Sequence, residues 1–94
     1  MYCRMVIGEV FTDDQIQEFQ TIYKELETDI LKQSGSKTAC LLMEDGGTLV
    51  VIFTTWDSRE YCLKYHTSKE YFRLVARTQR LLIGEFVVKS FRMD

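Results

Sequence analysis

The sequence predicts an α+β fold of the ferredoxin-like type, with strands and helical regions in the order β-α-β-β-α-β. Two long stretches repeat apolar residues at helical spacing, short stretches rich in β-branched and aromatic residues surround them, and a glycine-containing turn joins the two central ones. Two crossovers of the usual right hand then produce a four-stranded antiparallel sheet. Both helical regions are expected on one face of that sheet.

The first strand is predicted over residues 2–11, and the first helix follows directly. The tetrapeptide TDDQ is a capping box, in which the Thr12 hydroxyl accepts a hydrogen bond from the Gln15 amide and the glutamine side chain reaches back. Apolar residues then recur every three or four positions, which predicts a helix with one buried stripe. That stripe consists of Ile16, Phe19, Tyr23, Leu26 and Ile30. Gly35 is expected to end the helix, since glycine suits the left-handed position after a last turn.

The second half of the chain is predicted to start with a hairpin. Residues 37–43 and 48–56 are β-rich and flank EDGG, whose glycines permit positive φ. A second helical region begins near Asp57, and TSKE at residues 67–70 is another capping box, so we expect the helix to restart there. Gly84 ends this region, and residues 85–93 form the last strand.

Composition limits the functions that this chain can have. We expect one domain over residues 1–94, and the formal net charge of −2 argues against a nucleic-acid partner. The thiols of Cys3, Cys40 and Cys62 are odd in number and lack metal-ligand spacing, which favours a reducing, cytoplasmic compartment and no metal. No apolar run reaches the ~18 residues of a membrane span, and the charged N-terminal segment is unlike a signal peptide. Phosphate-loop, nucleophile-elbow and dinucleotide motifs are absent.

Three of the predicted strands are apolar at consecutive positions. LVVIF at residues 49–53, MVI at 5–7 and FVV at 86–88 place apolar side chains on both faces of the sheet. The helices can cover only one face, and soluble monomers rarely expose a contiguous apolar patch of that size. We therefore predict a homodimer in which the two sheets pack face to face.

The segment from Trp56 to Ser68 resembles the antibiotic biosynthesis monooxygenase family of dimeric α+β barrels. A Trp ends the third strand, W-x-S-x-E follows over residues 56–60, and HTS lies at 66–68, in the family's order and spacing. The resemblance covers essentially the whole chain and implies a homodimer with a pocket between sheet and helices in each subunit. Some members oxidise quinol- or anthrone-like aromatics with molecular oxygen, so the resemblance implies a small aromatic ligand and no cofactor.

Four side chains are the candidate site residues. His66 is the predicted catalytic base or hydrogen-bond partner, Trp56 and Tyr65 are predicted pocket walls, and Tyr23 is predicted to offer its phenol to the substrate. Each also has a purely structural interpretation. The aromatic residues suit core packing, and a histidine near a helix end suits the helix dipole.

Several positions depart from the catalytic patterns that the resemblance brings. Ile52, Cys62 and Ala76 stand where anthrone-oxidising members have Asn, Tyr and Arg, and Val75 stands where haem-degrading members have their proximal His. Whether the chain is an enzyme is therefore left open. The alternative to a monooxygenase is a non-catalytic dimer that binds a small molecule, and a third hypothesis is a haem-binding relative.

Overall fold

The predicted fold class is confirmed by the structure, a computed structural model that describes residues 1–94. Its elements are β1 (Tyr2–Glu9), α1 (Asp13–Leu31), β2 (Ser36–Met43), β3 (Leu49–Trp56), α2 (Arg59–His66), α3 (Lys69–Thr78), a 3₁₀ turn (Gln79–Leu81) and β4 (Val87–Arg92). The strands form one antiparallel sheet in the order β2-β3-β1-β4, which is the ferredoxin-like arrangement. The second helical region consists of two pieces, α2 and α3.

The capping box of α1 is present as predicted. The Gln15 amide donates to the Thr12 hydroxyl at 3.3 Å, and the Thr12 amide donates to the Gln15 side-chain oxygen at 3.1 Å. The helix ends at Leu31, earlier than expected, and Gly35 occupies the turn that leads into β2 with a φ of +78°. Buried residues of α1 are Phe19, Ile22, Tyr23, Leu26 and Ile30.

The prediction that Thr67 caps the second part of the helical region was wrong by one residue. Ser68 is the N-cap of α3, and its hydroxyl accepts from the Tyr71 amide at 3.2 Å. The Thr67 hydroxyl instead donates to the Leu63 carbonyl at 3.2 Å. Thr67 has the backbone of the α2 C-cap, with φ −110° and ψ 8°, whereas Ser68 has the extended backbone of an N-cap, with φ −84° and ψ 161°, so α3 starts from Ser68.

The helices all lie on one face of the sheet. Alternate residues of the central strands, such as Val6, Val50 and Ile52, point to this face and belong to a cluster of 16 buried residues. The opposite face, here called the outer face, carries apolar side chains that no element of the chain covers. Leu42, Val87 and Phe91 on this face are 47%, 51% and 49% exposed.

Candidate functional site

An aromatic cluster connects the end of β3, the length of α2 and the start of α3. Trp56 stacks on Tyr65 with ring centroids 5.4 Å apart, and Tyr65 meets His66 edge-on at 5.1 Å. The His66 ring lies 4.2 Å from that of Tyr71, which belongs to α3. The fold therefore brings together three of the four predicted site residues, namely Trp56, Tyr65 and His66.

Trp56 and Tyr65 form the inner side of this cluster. Trp56 is 0% exposed and Tyr65 is 3% exposed. The Trp56 indole N–H donates to the Thr54 hydroxyl at 2.9 Å, so its polar atom is satisfied within the core. Neither side chain lines any of the three surface grooves of the molecule. The two rings support His66 and Tyr71 from behind.

His66 is a neutral imidazole in this environment. Burial lowers its pKa to about 3, and the nearby positive charge of Arg4 acts in the same direction. The buried Nε2 atom has no hydrogen-bond partner in the chain. A buried polar atom without a partner is costly, and it is free to accept or donate a hydrogen bond. This side chain is therefore better suited to exchanging a hydrogen bond than to holding a proton.

Tyr23 lies apart from this cluster. It lines a groove of about 250 Å³ between α1 and β2, together with Gln20, Lys24, Glu27, Cys40, Leu41 and Met43. Its hydroxyl is buried without a hydrogen-bond partner, and burial raises the pKa of the phenol. The structure thus divides the predicted site residues between two regions.

A second groove runs between α3 and β4, and we call it the α3–β4 groove. Its volume is about 270 Å³, and it is lined by Tyr71, Phe72, Val75, Gln79, Glu85, Phe86 and Val88, of which five are hydrophobic. One wall is the Tyr71 ring, which also contacts His66 and Tyr65. This is the most apolar of the three grooves, and it lies closest to the aromatic cluster.

None of the four predicted site residues lines the α3–β4 groove, and two of its apolar walls are Phe86 and Val88. Both were assigned to the last strand from their β-rich composition, and neither carries a chemical signal. Their position follows from the pairing of the edge strand β4 with β1, in which Val88 lies opposite Val6 and lines the groove together with residues of α3. Only the long-range register of β1 and β4 brings them to the groove.

The third groove, between α1 and α3, has a different chemistry. One of its six lining residues is hydrophobic. Arg77 pairs with Glu25 at 2.7 Å, and Arg80 makes a close pair with Glu18 across the same groove. Its charged groups are thus already paired, which makes it a poor site for an aromatic ligand.

No three His, Cys, Asp or Glu side chains lie close enough to hold a metal ion together. Cys3, Cys40 and Cys62 are free thiols. A membrane crossing would need a longer and more apolar helix than any in this chain.

No protein-family model and no curated protein sequence matches the chain. Solved structures do match it in shape. A monooxygenase from Streptomyces coelicolor, solved in complex with the ligand nanaomycin D, superposes with a TM-score of 0.88 at 15% identity, over 99% of this chain and 87% of that one. SnoaB, a cofactor-independent oxygenase from Streptomyces nogalater, superposes with a TM-score of 0.83 at 13% identity, over 98% of this chain and 91% of that one. A third structure, of an antibiotic biosynthesis monooxygenase, superposes with a TM-score of 0.84 at 14% identity, over 100% of this chain and 99% of that one.

Identities of this size are informative about shape and leave activity to be argued from the site. The match nevertheless spans nearly the full length of both chains in each pair. The chain therefore has the fold of the antibiotic biosynthesis monooxygenases.

Proposed function

We propose that the protein binds a small aromatic molecule in the α3–β4 groove and oxidises it with molecular oxygen, without a cofactor. The observation that carries this proposal is the contact between Tyr71 and His66, which joins an apolar groove to a buried nitrogen that lacks a hydrogen-bond partner. An apolar cleft with few polar groups is the usual form of a small-molecule site. The shared fold of two solved oxygenases supports the same conclusion.

The chemistry requires little from the protein because the substrate supplies the electrons. A quinol- or anthrone-like ring loses a proton to solvent as it ionises, and the resulting electron-rich carbon reacts with oxygen. One oxygen atom becomes a carbonyl on that carbon, and the other leaves as water with two hydrogens of the substrate. These are the two CH2 hydrogens of an anthrone, or one C–H and one O–H hydrogen of a quinol, so atoms and electrons balance. The walls of the groove hold the ring and exclude water from the reactive anion.

In this proposal Tyr71 is the polar side chain that contacts the substrate, and His66 lies behind the Tyr71 ring without lining the groove. Because the His66 pKa is about 3, the imidazole stays neutral, and its role is to position the Tyr71 ring from behind. Trp56 and Tyr65 hold these two rings in place through the stacking described above. Tyr23 lies outside the groove and has no role in this reaction.

Oxygen uptake over a panel of naphthohydroquinones and anthrones tests the proposal, with heat-denatured protein as the background. We expect one oxygen molecule consumed per substrate, and loss of uptake in Val75→Trp, which fills the groove. Lys24→Trp places the same bulk in the α1–β2 groove and should leave uptake unchanged. His66→Gln should lower turnover, whereas Lys64→Gln on the exposed side of α2 should not. Absence of uptake with every substrate would exclude the oxygenase function.

The alternative function is a dimer that binds a small apolar molecule without converting it. It is favoured by Ile52, Cys62 and Ala76, which replace the polar residues of the anthrone-oxidising pattern. Stabilisation of the folded protein by aromatics in a thermal-shift screen, without oxygen uptake, would support this alternative. Haem ligation is a weaker hypothesis because His66 lines none of the grooves. Titration with haem is expected to leave the Soret band unchanged.

We further propose that the functional unit is a homodimer formed through the outer face. Support comes from the exposed apolar side chains on that face, which would form a contiguous patch on a monomer. The free thiols are compatible with a cytoplasmic location.

A further inference from the structure

Arg4 is the one charged residue of β1 that faces the helices. Tyr2 and Val6, which lie two positions before and after Arg4 and point to the same face of the sheet, belong to the buried core. The side chain of Arg4 is partly buried, and its Nε donates to the Ser90 hydroxyl on β4 at 2.8 Å. The Arg4 side chain therefore lies on the helix side of the sheet and is directed towards β4, where its hydrogen bond to Ser90 is exposed to solvent.

No carboxylate balances this charge. The ion pairs of the molecule are Lys37–Asp57, Arg77–Glu25 and Arg80–Glu18, and Arg4 takes part in none of them. Its charge acts on the Tyr2, Cys62, His66 and Tyr71 side chains, none of which is a carboxylate, and Arg59 adds a second positive charge at the Tyr2 hydroxyl. The guanidinium of Arg4 therefore has no ion partner within the chain and is available to pair with an anion from outside it.

The position of Arg4 relative to the α3–β4 groove suggests what that partner is. Arg4 is paired with Ser90 and Val6 with Val88, so Arg4 lies roughly 7 Å along the sheet from a wall of the groove. Its charge also acts on Tyr71, the wall that contacts His66. A ligand ring in the groove would thus present one edge to the guanidinium.

We propose that Arg4 recognises an ionised oxygen on the aromatic ligand, so that the protein prefers phenolate-, enolate- or carboxylate-bearing rings to neutral ones. A guanidinium offers several N–H donors in a planar fork, and one of them is already directed to Ser90. This inference rests on the proposed ligand groove and adds the substrate class to it. The fixed positive charge of Arg4 stabilises the anion without accepting its proton, and the neutral His66 side chain cannot do this.

A matched pair of probes tests the proposal by calorimetry or by quenching of the single tryptophan. Lawsone is a hydroxynaphthoquinone that is an anion at neutral pH, and its methyl ether is neutral and similar in shape. We expect the wild-type protein to bind lawsone more tightly than the ether. Arg4→Gln should weaken lawsone binding about tenfold or more and leave the ether unaffected. Arg4→Lys keeps the positive charge but loses the planar set of N–H donors, so its affinity for lawsone should lie between those of the wild type and Arg4→Gln.

Arg73→Gln on the exposed side of α3 is the control for a change of net charge, and circular dichroism confirms folding of each variant. Equal affinity of the wild type for the two probes would overturn the role of Arg4 and leave the groove in place, even if Arg4→Gln did not fold. The same conclusion follows if Arg4→Gln weakens both probes equally. Binding of neither probe to the wild type would overturn the groove and, with it, this inference.

Discussion

His66 shows how the position of a single side chain decides its chemistry. In sequence it is the only histidine, and its ordinary pKa would make it a natural candidate for a general base. In the fold its ring is enclosed by Tyr65 and Tyr71, and burial lowers its pKa to about 3. The structure therefore favours hydrogen bonding over proton transfer among the two roles that the sequence suggested.

The first prediction concerns the titration of this imidazole. The ring-proton resonances of His66 should stay constant between about pH 8 and pH 5 in the folded protein, whereas they titrate near pH 6.5 in the unfolded chain. Because the chain has one histidine, proton NMR resolves the signal without assignment. A midpoint close to the ordinary value in the folded protein would contradict the burial of this ring.

The same shift has a consequence for stability. The folded pKa lies below the unfolded one, so the stability linked to His66 is fully present above about pH 6.5 and is lost as the pH falls towards about 3. The slope is at most about 1.4 kcal/mol per pH unit. His66→Gln should lack this part of the acid destabilisation. The measurement is the melting temperature of both proteins as a function of pH. Titration of the carboxylates destabilises both proteins equally and provides the common background.

At the scale of elements, the connection between α1 and β2 depends on one glycine. Gly35 has a φ of +78°, and a Cβ at this position would clash with the ring of Tyr61 on α2. Its carbonyl also accepts a hydrogen bond from the Asp57 amide at 2.8 Å, which ties the turn to the end of β3. The turn is thus held by packing as well as by backbone geometry.

Two glycine substitutions separate these contributions. Gly46 in the hairpin turn also has positive φ, at +72°, but a Cβ there would meet open space. We expect Gly46→Ala to cost about 1–2 kcal/mol, the usual penalty of a left-handed alanine. Gly35→Ala should cost clearly more because of the added clash, measured by urea denaturation of both variants. Equal losses would show that Tyr61 moves away freely.

At the scale of the whole molecule, the two faces of the sheet have different partners. The inner face packs on the helices and provides one wall of the α3–β4 groove. The outer face carries exposed apolar residues of β2 and β4 and half-buried ones of β1 and β3. Each central strand therefore serves both faces, which explains why its apolar residues are consecutive. The proposed homodimer would cover the outer face without closing the groove.

Light scattering after gel filtration tests this dimer. The wild type is expected at twice the mass of the chain, and Phe91→Glu should shift it towards the monomer because it places a charge in the contact. Leu31→Glu, at the exposed end of α1, is the control and should remain dimeric. A wild-type monomer at micromolar concentration would contradict the dimer and leave the proposed ligand groove unaffected.

Local patterns in the sequence determined the order of the elements, the hairpin, the cap at Thr12 and the apolar character of both faces of the sheet. These features depend on neighbours within a few residues and on the strand and helix periods, which the chain displays directly. The error at Thr67 has the same origin, since two adjacent hydroxyl residues are equivalent by pattern until the end of α2 gives Thr67 the backbone of a C-cap and leaves Ser68 extended.

Tertiary structure alone decided which of the candidate residues meet. Tyr23 and His66 are both chemically suitable, yet α1 places the first in a separate groove. Only the pairing of β1 with β4 brings Val88 to the groove that Tyr71 lines and places Arg4 opposite Ser90. Contacts between residues more than 80 positions apart, such as that of Arg4 with Ser90 at a separation of 86, leave no local trace in the sequence. Burial likewise becomes defined only when the helices cover the sheet, so the lowered pKa of His66 and the unbalanced charge of Arg4 are properties of the folded chain.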